Sequence, residues 1–479
     1  MRSFAAASDT FPAMTTQTLR AALIATALLI PEAAVAGKAV TSTGVGITDP
    51  KVAFEKYTLP NGLEVLLVPD KSVPLVSVSV WYHVGSGNEV YGKSGFAHLF
   101  EHMLFQGSEH VGSDNHFDIL KKLGVTDVNG TTNSDRTNYY EVVPSNQLET
   151  ALWLESDRMG YLLLPPKATK EPESFFAKSL ANQIDVVRNE RRQRYDNVPY
   201  GKTRFAVAAA LYPEGHPYRY MTIGKHEDLT SATAADVKNF FKTWYVPANA
   251  TIAISGDFDS KTAHALVDKW FAKFPKSEKP KLVVVPPPTI KSTEATVSDG
   301  FAKLRQIQFV WHSPANFAEG DAELDIAANA LSQEGPGRLY KELVYKGLAQ
   351  GVSASQQGAG FSGTFQVSVT LRGDSDPAVV RKVVLAEVDR LTKELLPAKD
   401  IARVVAANEA GTIRRLETAF GRAETLQSYN HFTGDPNRIT WDLDRYRKAN
   451  PEAIRRIAAS YLGADRVVIV TTNPAGGDK

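Results

Sequence analysis

At 479 residues the chain is long enough for two or more domains with sizeable cores, and 43% hydrophobic with 22% charged content is ordinary for a globular protein. A formal net charge of +1 leaves no electrostatic footprint for nucleic acid or an anionic membrane. The complete absence of cysteine excludes thiol catalysis, disulfides and cysteine-ligated zinc, so a metal site must be built from histidine and carboxylates.

The first element in chain order is an export signal. Arg20 precedes an apolar run over residues 21–30, followed by Pro31 and then Ala34-Val35-Ala36, the order of a secretory signal peptide. We read residues 1–36 as signal peptide and leader, with Met14 as a candidate true start, and expect an exported, periplasmic protein. The run of about ten residues is too short to span a bilayer, so no stable membrane insertion is expected.

Residues 50–275 read as an α+β unit. Strand patterns at 63–68 and 76–82 flank a turn-rich connection, and a helix carrying residues 98–102 follows. Next come a helix at 117–123, a strand pair within 128–143 and helices at 147–159, 181–194 and 233–245. A strand at 251–254 closes the unit. Lys, Pro and Ser then dominate residues 276–298, including Pro286-Pro287-Pro288, which marks a linker. A second α+β pattern covers 299–475, beginning with a strand at 306–311 and a helix at 322–331. Residues 235–256 and 452–472 share a helix, a tyrosine and then a β-rich run, which suggests two related halves. The same order recurs in any α+β protein, so the repeat alone leaves that open.

His98-Leu99-Phe100-Glu101-His102 is the stretch that carries chemistry. Histidines four residues apart project from one helix face and can offer two imidazoles to one metal ion, with Glu101 beside them to take a proton from water. A solvated face could carry the same residues. However, Phe96, Ala97, Leu99, Phe100, Met103, Leu104 and Phe105 make the segment apolar almost all round, and such a helix is buried. Buried histidines and a buried glutamate need partners, and a metal satisfies all three. H-x-x-E-H is the inverzincin order. A site with two histidines needs a third protein ligand and keeps its fourth position for water.

The motif and its flanks, residues 81–89, 95–108 and 186–193, resemble the pitrilysin family of zinc peptidases, which includes insulin-degrading enzyme and the mitochondrial processing peptidase. The resemblance implies two homologous α/β-sandwich halves forming a clamshell around a peptide chamber. It also implies one Zn2+ per chain, held by His98, His102 and a later glutamate, with Glu101 as the base of an endopeptidase. Val186-Val187-Arg188-Asn189-Glu190 matches the ligand helix, which makes Glu190 the third ligand. Its position 88 residues after His102 is stretched relative to the family, and residues 165–180, with three prolines, read as an inserted loop. Glu155, Glu171 and Glu173 compete as ligands, but Glu155 has Arg158 as a near partner and the others fall in the presumed loop. Gln183 stands where some relatives carry an assisting glutamate seven residues before the ligand, so no second carboxylate is assigned.

Asn129 matches an asparagine on an edge strand that contacts the substrate backbone in the family, although Asn129-Gly130 also suits a hairpin turn. The family's second-half arginine and tyrosine, which grip the substrate carbonyl, have no counterpart after residues 337–343. Arg338 and Tyr345 read as parts of a packed helix. That departure points to a homologous, metal-free partner subunit in a heterodimer, with a homodimer or no partner left open. Peptides are the expected substrates. The alternatives are a non-catalytic structural or assembly subunit of the same fold and a metal hydrolase for a non-peptide substrate.

Overall fold

The structure, a computed structural model, describes residues 49–475 apart from 114, 126 and 283. The expected signal peptide therefore lies outside the described residues.

The first half runs β1 (Glu55–Thr58), β2 (Glu64–Pro69), β3 (Leu75–Tyr82), α1 (Phe96–Met103), α2 (Asn115–Lys122), β4 (Asp127–Thr132) and β5 (Thr137–Pro144). It continues through α3 (Leu148–Tyr161), α4 (Pro172–Arg191), α5 (Gly201–Leu211), α6 (His226–Thr230), α7 (Ala234–Trp244), β6 (Ala250–Gly256) and α8 (Ser260–Phe271). The second half runs β7 (Thr293–Asp299), β8 (Gln306–Ser313), α9 (Asp321–Ser332), β9 (Ala349–Gly358) and β10 (Gly363–Leu371). Helices α10 (Pro377–Lys393), α11 (Ala398–Leu416), α12 (Ala419–Thr433), α13 (Ile439–Lys448) and α14 (Pro451–Tyr461) follow, and β11 (Val468–Pro474) ends it.

The two sheets have the same topology. The first has strand order β1-β2-β6-β3-β5-β4 and the second β7-β11-β8-β10-β9. In each, the opening and closing strands pair in parallel (β2 with β6, β7 with β11) and the remaining neighbours pair antiparallel. Five helices separate the fourth strand of the common plan from the last one in both halves, and β1 is an addition at the first sheet's edge.

Strand β3 explains how the halves join. Its sequence alternates Val76, Val78 and Val80 with Ser77, Ser79 and Trp81, and successive side chains point to opposite faces. The valines enter the first half's own core with Leu99, Phe100 and Leu152. The other face is covered by α12 from the second half. Glu424 Oε1 accepts from Ser79 Oγ at 2.6 Å and Trp81 Nε1 at 3.0 Å, while Gln427 Nε2 donates to the Ser79 and Thr251 carbonyls at 3.1 and 2.9 Å. The arrangement is reciprocal: α5 of the first half packs on the second sheet, where Val207 and Leu211 meet Val310, Val468 and Val470. Thr203 and Thr472 hydroxyls close that contact at 2.6 Å. Each sheet thus uses a helix of the other half as one of its lids.

Two stretches differ from the sequence reading. Residues 293–298, placed in the linker, belong to β7 (Thr293–Asp299), which pairs with β11 at the edge of the second sheet. Residues 172–180, placed in an inserted loop, are the first turns of α4. Pro172 is its first helical residue, where the missing N–H costs nothing and the fixed φ suits a helix. Read as part of the inserted loop, Pro172 is in fact a helix start.

Candidate metal centre

Helix α1 begins at Gly95, whose φ of 90° is left-handed and suits glycine. The orphan N–H groups of its first turn are met by the half-buried Glu89 carboxylate, 3.0 Å from Gly95 N and 2.8 Å from Ala97 N. Burial nevertheless drives the Glu89 carboxyl up to about 8. Six of the eight residues of α1 are buried, His98 among them.

The helix presents His98, Glu101 and His102 toward the last turns of α4. His98 Nε2 lies 3.6 Å and His102 Nε2 3.3 Å from Glu190 Oε2. Two imidazoles and one carboxylate therefore converge, and the three donor atoms lie within 4.8 Å of one another. Tetrahedral zinc with bonds of about 2.0–2.1 Å holds its ligands about 3.3 Å apart, so this donor set fits the ion in chemistry and in spacing. Burial, followed by the neighbouring His102, pushes the His98 imidazole down to about 4, which keeps it a neutral donor. Burial opposes charge on His102 as well, but the Glu190 hydrogen bond and the Glu101 charge draw its pKa above the usual value. Glu190 moves below its usual value despite burial, through the His102 hydrogen bond and the charges of His98 and Arg194. A metal ion bound here would displace any proton held between His102 and Glu190.

Neighbouring groups orient these donors. His102 Nδ1 is 3.2 Å from Gln183 Oε1, two helical turns before Glu190, so an N–H donated there leaves Nε2 free to ligate. Arg194 Nη1 reaches Glu190 Oε1 at 2.9 Å. Thr132 Oγ1 donates to Glu101 Oε2 at 2.6 Å. Burial raises the Glu101 carboxyl, and the Thr132 hydrogen bond restrains that rise. These groups border a cavity of about 490 Å³ whose lining comes entirely from the first half.

Asn129 is on β4 rather than in a turn. It pairs with Tyr140, and the hairpin turn lies at 133–136, where Asn133 Oδ1 accepts from the Asp135 and Arg136 N–H groups. Strand β4 is the sheet edge, so one side of its backbone has no strand partner in the sheet. Gly130 and Thr132 share the face toward Glu101, whose Cγ would meet a Cβ on Gly130 at 3.0 Å. Asn129 is out of phase with them, and its Oδ1 accepts from Gly130 N at 2.9 Å.

The competing carboxylates lie elsewhere. Glu155 is buried against Arg158, whose Nε donates to it at 2.8 Å. Together with His116 and Glu141 it forms a second buried group of possible donors, but the Arg158 guanidinium already occupies the cation's role there. Glu171 pairs with Lys178 at the surface, and Glu173 lies in the first turn of α4. Tyr345 is 67% exposed, outside the packed position expected for it, and neither it nor Arg338 lines the cavity. Sequence reasoning missed Thr132, the hydrogen bond from His102 to Gln183, and Arg194. The last two were within reach, since residues seven before and four after Glu190 share its helix face.

Residues 64–195 match the family model described as "Insulinase (Peptidase family M16)" and residues 231–408 that described as "Peptidase M16 inactive domain". The chain is 28% identical over 385 residues to a protein named zinc protease PqqE from Helicobacter pylori, covering 78% of this chain and 83% of the relative. The crystal structure of a protease from Helicobacter pylori superposes with a TM-score of 0.80 at 25% identity, covering 88% of this chain and all of that one. The periplasmic protease PqqL from Escherichia coli superposes at 0.72 with 18% identity, covering 89% of this chain and 48% of that one, a likeness of fold.

Proposed function

Because the chain belongs to the M16 (insulinase) family of peptidases, we propose that it is a zinc-dependent endopeptidase acting on peptides or unfolded segments. The observation that carries this reading is the convergence of His98, His102 and Glu190 with Glu101 beside them. Zinc held there supplies Lewis acidity and lowers the pKa of water. Glu101 takes the proton of the attacking water and passes it to the leaving amine. Its pKa, raised by burial, brings the carboxylate nearer the working pH of a general base. Thr132 fixes Oε2, so Oε1 is the oxygen left to handle the proton. Gln183 and Arg194 hold His102 and Glu190 in their ligating orientations. The free edge of β4, with Asn129 upon it, adds the substrate backbone as a strand, which reads main chain more than side chains and favours broad specificity.

Among the described residues no helix is long and apolar enough to cross a membrane. The signal-like N-terminus, together with the periplasmic relative, supports export to the periplasm. The missing arginine and tyrosine support a homologous, metal-free partner subunit, or a second copy, completing the substrate chamber.

The test is metal analysis and peptide cleavage by the chain, with any co-purifying partner, as wild type and as Glu101→Gln. About one zinc per chain in both, with cleavage by wild type alone, is the expected result, and general-base loss costs about 10²–10⁴-fold. Undiminished cleavage by the variant removes Glu101 as the base. A zinc-loaded wild type without any activity favours the non-catalytic subunit.

A further inference from the structure

The two helices that carry the metal donors do not touch through the donors alone. Beside the site, the segment around Gly224 reaches both. On the α1 side, Gly224 packs backbone to backbone against Gly95. Both have left-handed φ, 74° and 90°, and a Cβ on Gly224 would lie 2.4 Å from the Ser94 carbonyl oxygen and 2.5 Å from Gly95 Cα. Ser94 is held in the same place: its Oγ and N–H both donate to Asp228 Oδ2, at 2.5 and 3.1 Å, and its Oγ accepts from Lys225 N at 3.0 Å. On the α4 side, Arg191, the residue after Glu190, donates through Nη1 to the Gly224 carbonyl. Its Nε lies 3.4 Å from Asp196, which His226 also contacts at 3.1 Å, and its guanidinium lies over the Phe205 ring.

We propose that Arg191 and Gly224 are positioning residues for the metal centre, forming a brace that fixes the separation of α1 from α4 and so the distance of Glu190 from His98 and His102. This rests on the zinc-site reading above. The physical argument is one of rigidity. Glu190 is on the last turns of a long helix whose first turns are exposed; Leu180 and Val187 pack that helix into the core, and the residue next to Glu190 adds a polar tie to the α1 side. The Gly95–Gly224 contact admits no side chain, so that spacing has little freedom. The Arg191 hydrogen bond then ties the turn bearing Glu190 to it. Ligands that must agree within a few tenths of an ångström need such support.

The experiment measures zinc affinity by chelator competition, the absorption spectrum of the cobalt-substituted protein, and the thermal midpoint of the metal-free protein. The variants are Arg191→Met, Arg191→Lys and Gly224→Ala. Val380→Ala, in the second half's core, serves as a control for general destabilisation. Arg191→Met and Gly224→Ala should each weaken zinc by about 10–100-fold, the range for supporting residues of metal sites, and alter the cobalt spectrum. Arg191→Lys, which keeps one donor for the Gly224 carbonyl, should recover most of the affinity. Val380→Ala should lower the midpoint and leave zinc affinity and spectrum alone. Zinc affinity unchanged in Arg191→Met and Gly224→Ala, with wild type binding normally, overturns the brace alone. A wild type that binds no zinc, or binds it equally well after His102→Ala, overturns the zinc-site reading and the brace with it.

Discussion

Helices α1 and α9 occupy the same place in the two halves. The first packs on β4, β5, α4 and α7, the second on β9, β10, α11 and α14, each the counterpart of the other. Only α1 presents a metal donor set. In α9 the two aspartates are answered by protein: Asp321 accepts two hydrogen bonds from Arg445 at 3.1–3.2 Å and one from Phe317 N, and Asp325 accepts from the Tyr446 hydroxyl at 3.0 Å. In α1, the Nε2 atoms of His98 and His102 turn toward a single carboxylate oxygen, and His98 Nδ1 has no hydrogen-bond partner among the described residues. One scaffold therefore supports two uses. Where the polar groups of this helix are satisfied internally the half packs, and where they are left for a ligand it is equipped for chemistry.

The sharpest way to break that comparison is to remove one carboxylate from each half. Glu190→Ala should abolish zinc retention through dialysis and with it peptide cleavage, because two ligands remain where three are needed. Asp321→Asn removes a carboxylate from α9, the counterpart of α1, and should leave zinc content at the wild-type level while lowering the thermal midpoint. Zinc retained in the first variant, or lost in the second, would end the distinction.

A smaller effect is expected from Thr132→Val, which keeps the shape and removes the hydroxyl that donates to Glu101. A hydrogen bond to a charged group contributes about 1.5–3 kcal/mol, so kcat/KM should fall by roughly 10–100-fold with zinc unchanged. The sign of the pH effect follows from the same bond. It favours the ionised carboxylate and restrains a pKa that burial raises, so its loss raises that pKa further. The base works deprotonated, so the acidic limb of the pH profile should move to higher pH. A limb that stays in place removes Thr132 from the proton transfer.

Below that in size is the join between the halves. Gln427 is wholly buried and donates to two carbonyls of the first sheet. Gln427→Leu should lower the free energy of unfolding by about 2 kcal/mol in a denaturant titration, without altering zinc affinity. Altered zinc binding would mean that the second half reaches the metal centre through this lid.

How much of this could be read in advance depends on how local the determinant is. His98, Glu101 and His102 sit on one helix, and an i, i+3, i+4 pattern inside an apolar segment is visible in any sequence. The alternation of valine and serine in β3 gave its two faces. Glu190 is a separate matter: nothing in residues 98–102 says which of several later carboxylates folds back to them, and only the resemblance of its surrounding helix singled it out. Thr132 was invisible because its role depends on strand phase relative to a helix thirty residues earlier. The interlocking lids were equally hidden. Helix α12 buries Gln427 and Asn430, residues that normally face water, and their partners lie in a sheet some 180–370 residues away. Strand β9 escaped because it is built of small and polar residues and the sheet supplies its pairing, whereas β10 alternates Phe365, Val367, Val369 and Leu371 with polar residues, a period-two signal that the sequence carries and the reading passed over.

The same join contains a pair of histidines that should make its stability depend on pH. His83, at the end of β3, and His431, on α12, stack at 4.9 Å with their Nδ1 atoms 2.7 Å apart, and His83 Nε2 lies 3.0 Å from Thr251 Oγ1. One Nδ1 must donate and the other accept, which requires at least one ring to be neutral. Burial, with the charges of Lys279 and Lys56, drives His83 down to about 3, and burial with the neighbouring His83 drives His431 well below its ordinary value. In the unfolded chain both return to about 6.5. Below that pH the unfolded state binds protons that the folded state refuses, so stability is fully present above about 6.5 and falls as the solution is acidified. The expected slope is up to about 1.4 kcal/mol per pH unit for each histidine. Unfolding titrations at pH 7, 6 and 5 should be run on metal-free protein, so that proton-driven loss of zinc does not enter. His431→Phe should then show a distinctly shallower slope than wild type, because the contributions of His98 and the other buried groups are common to both and cancel in the difference. Identical slopes would mean that water or a rearranged α12 accommodates the charge, and that this contact between the halves yields more readily than its burial indicates.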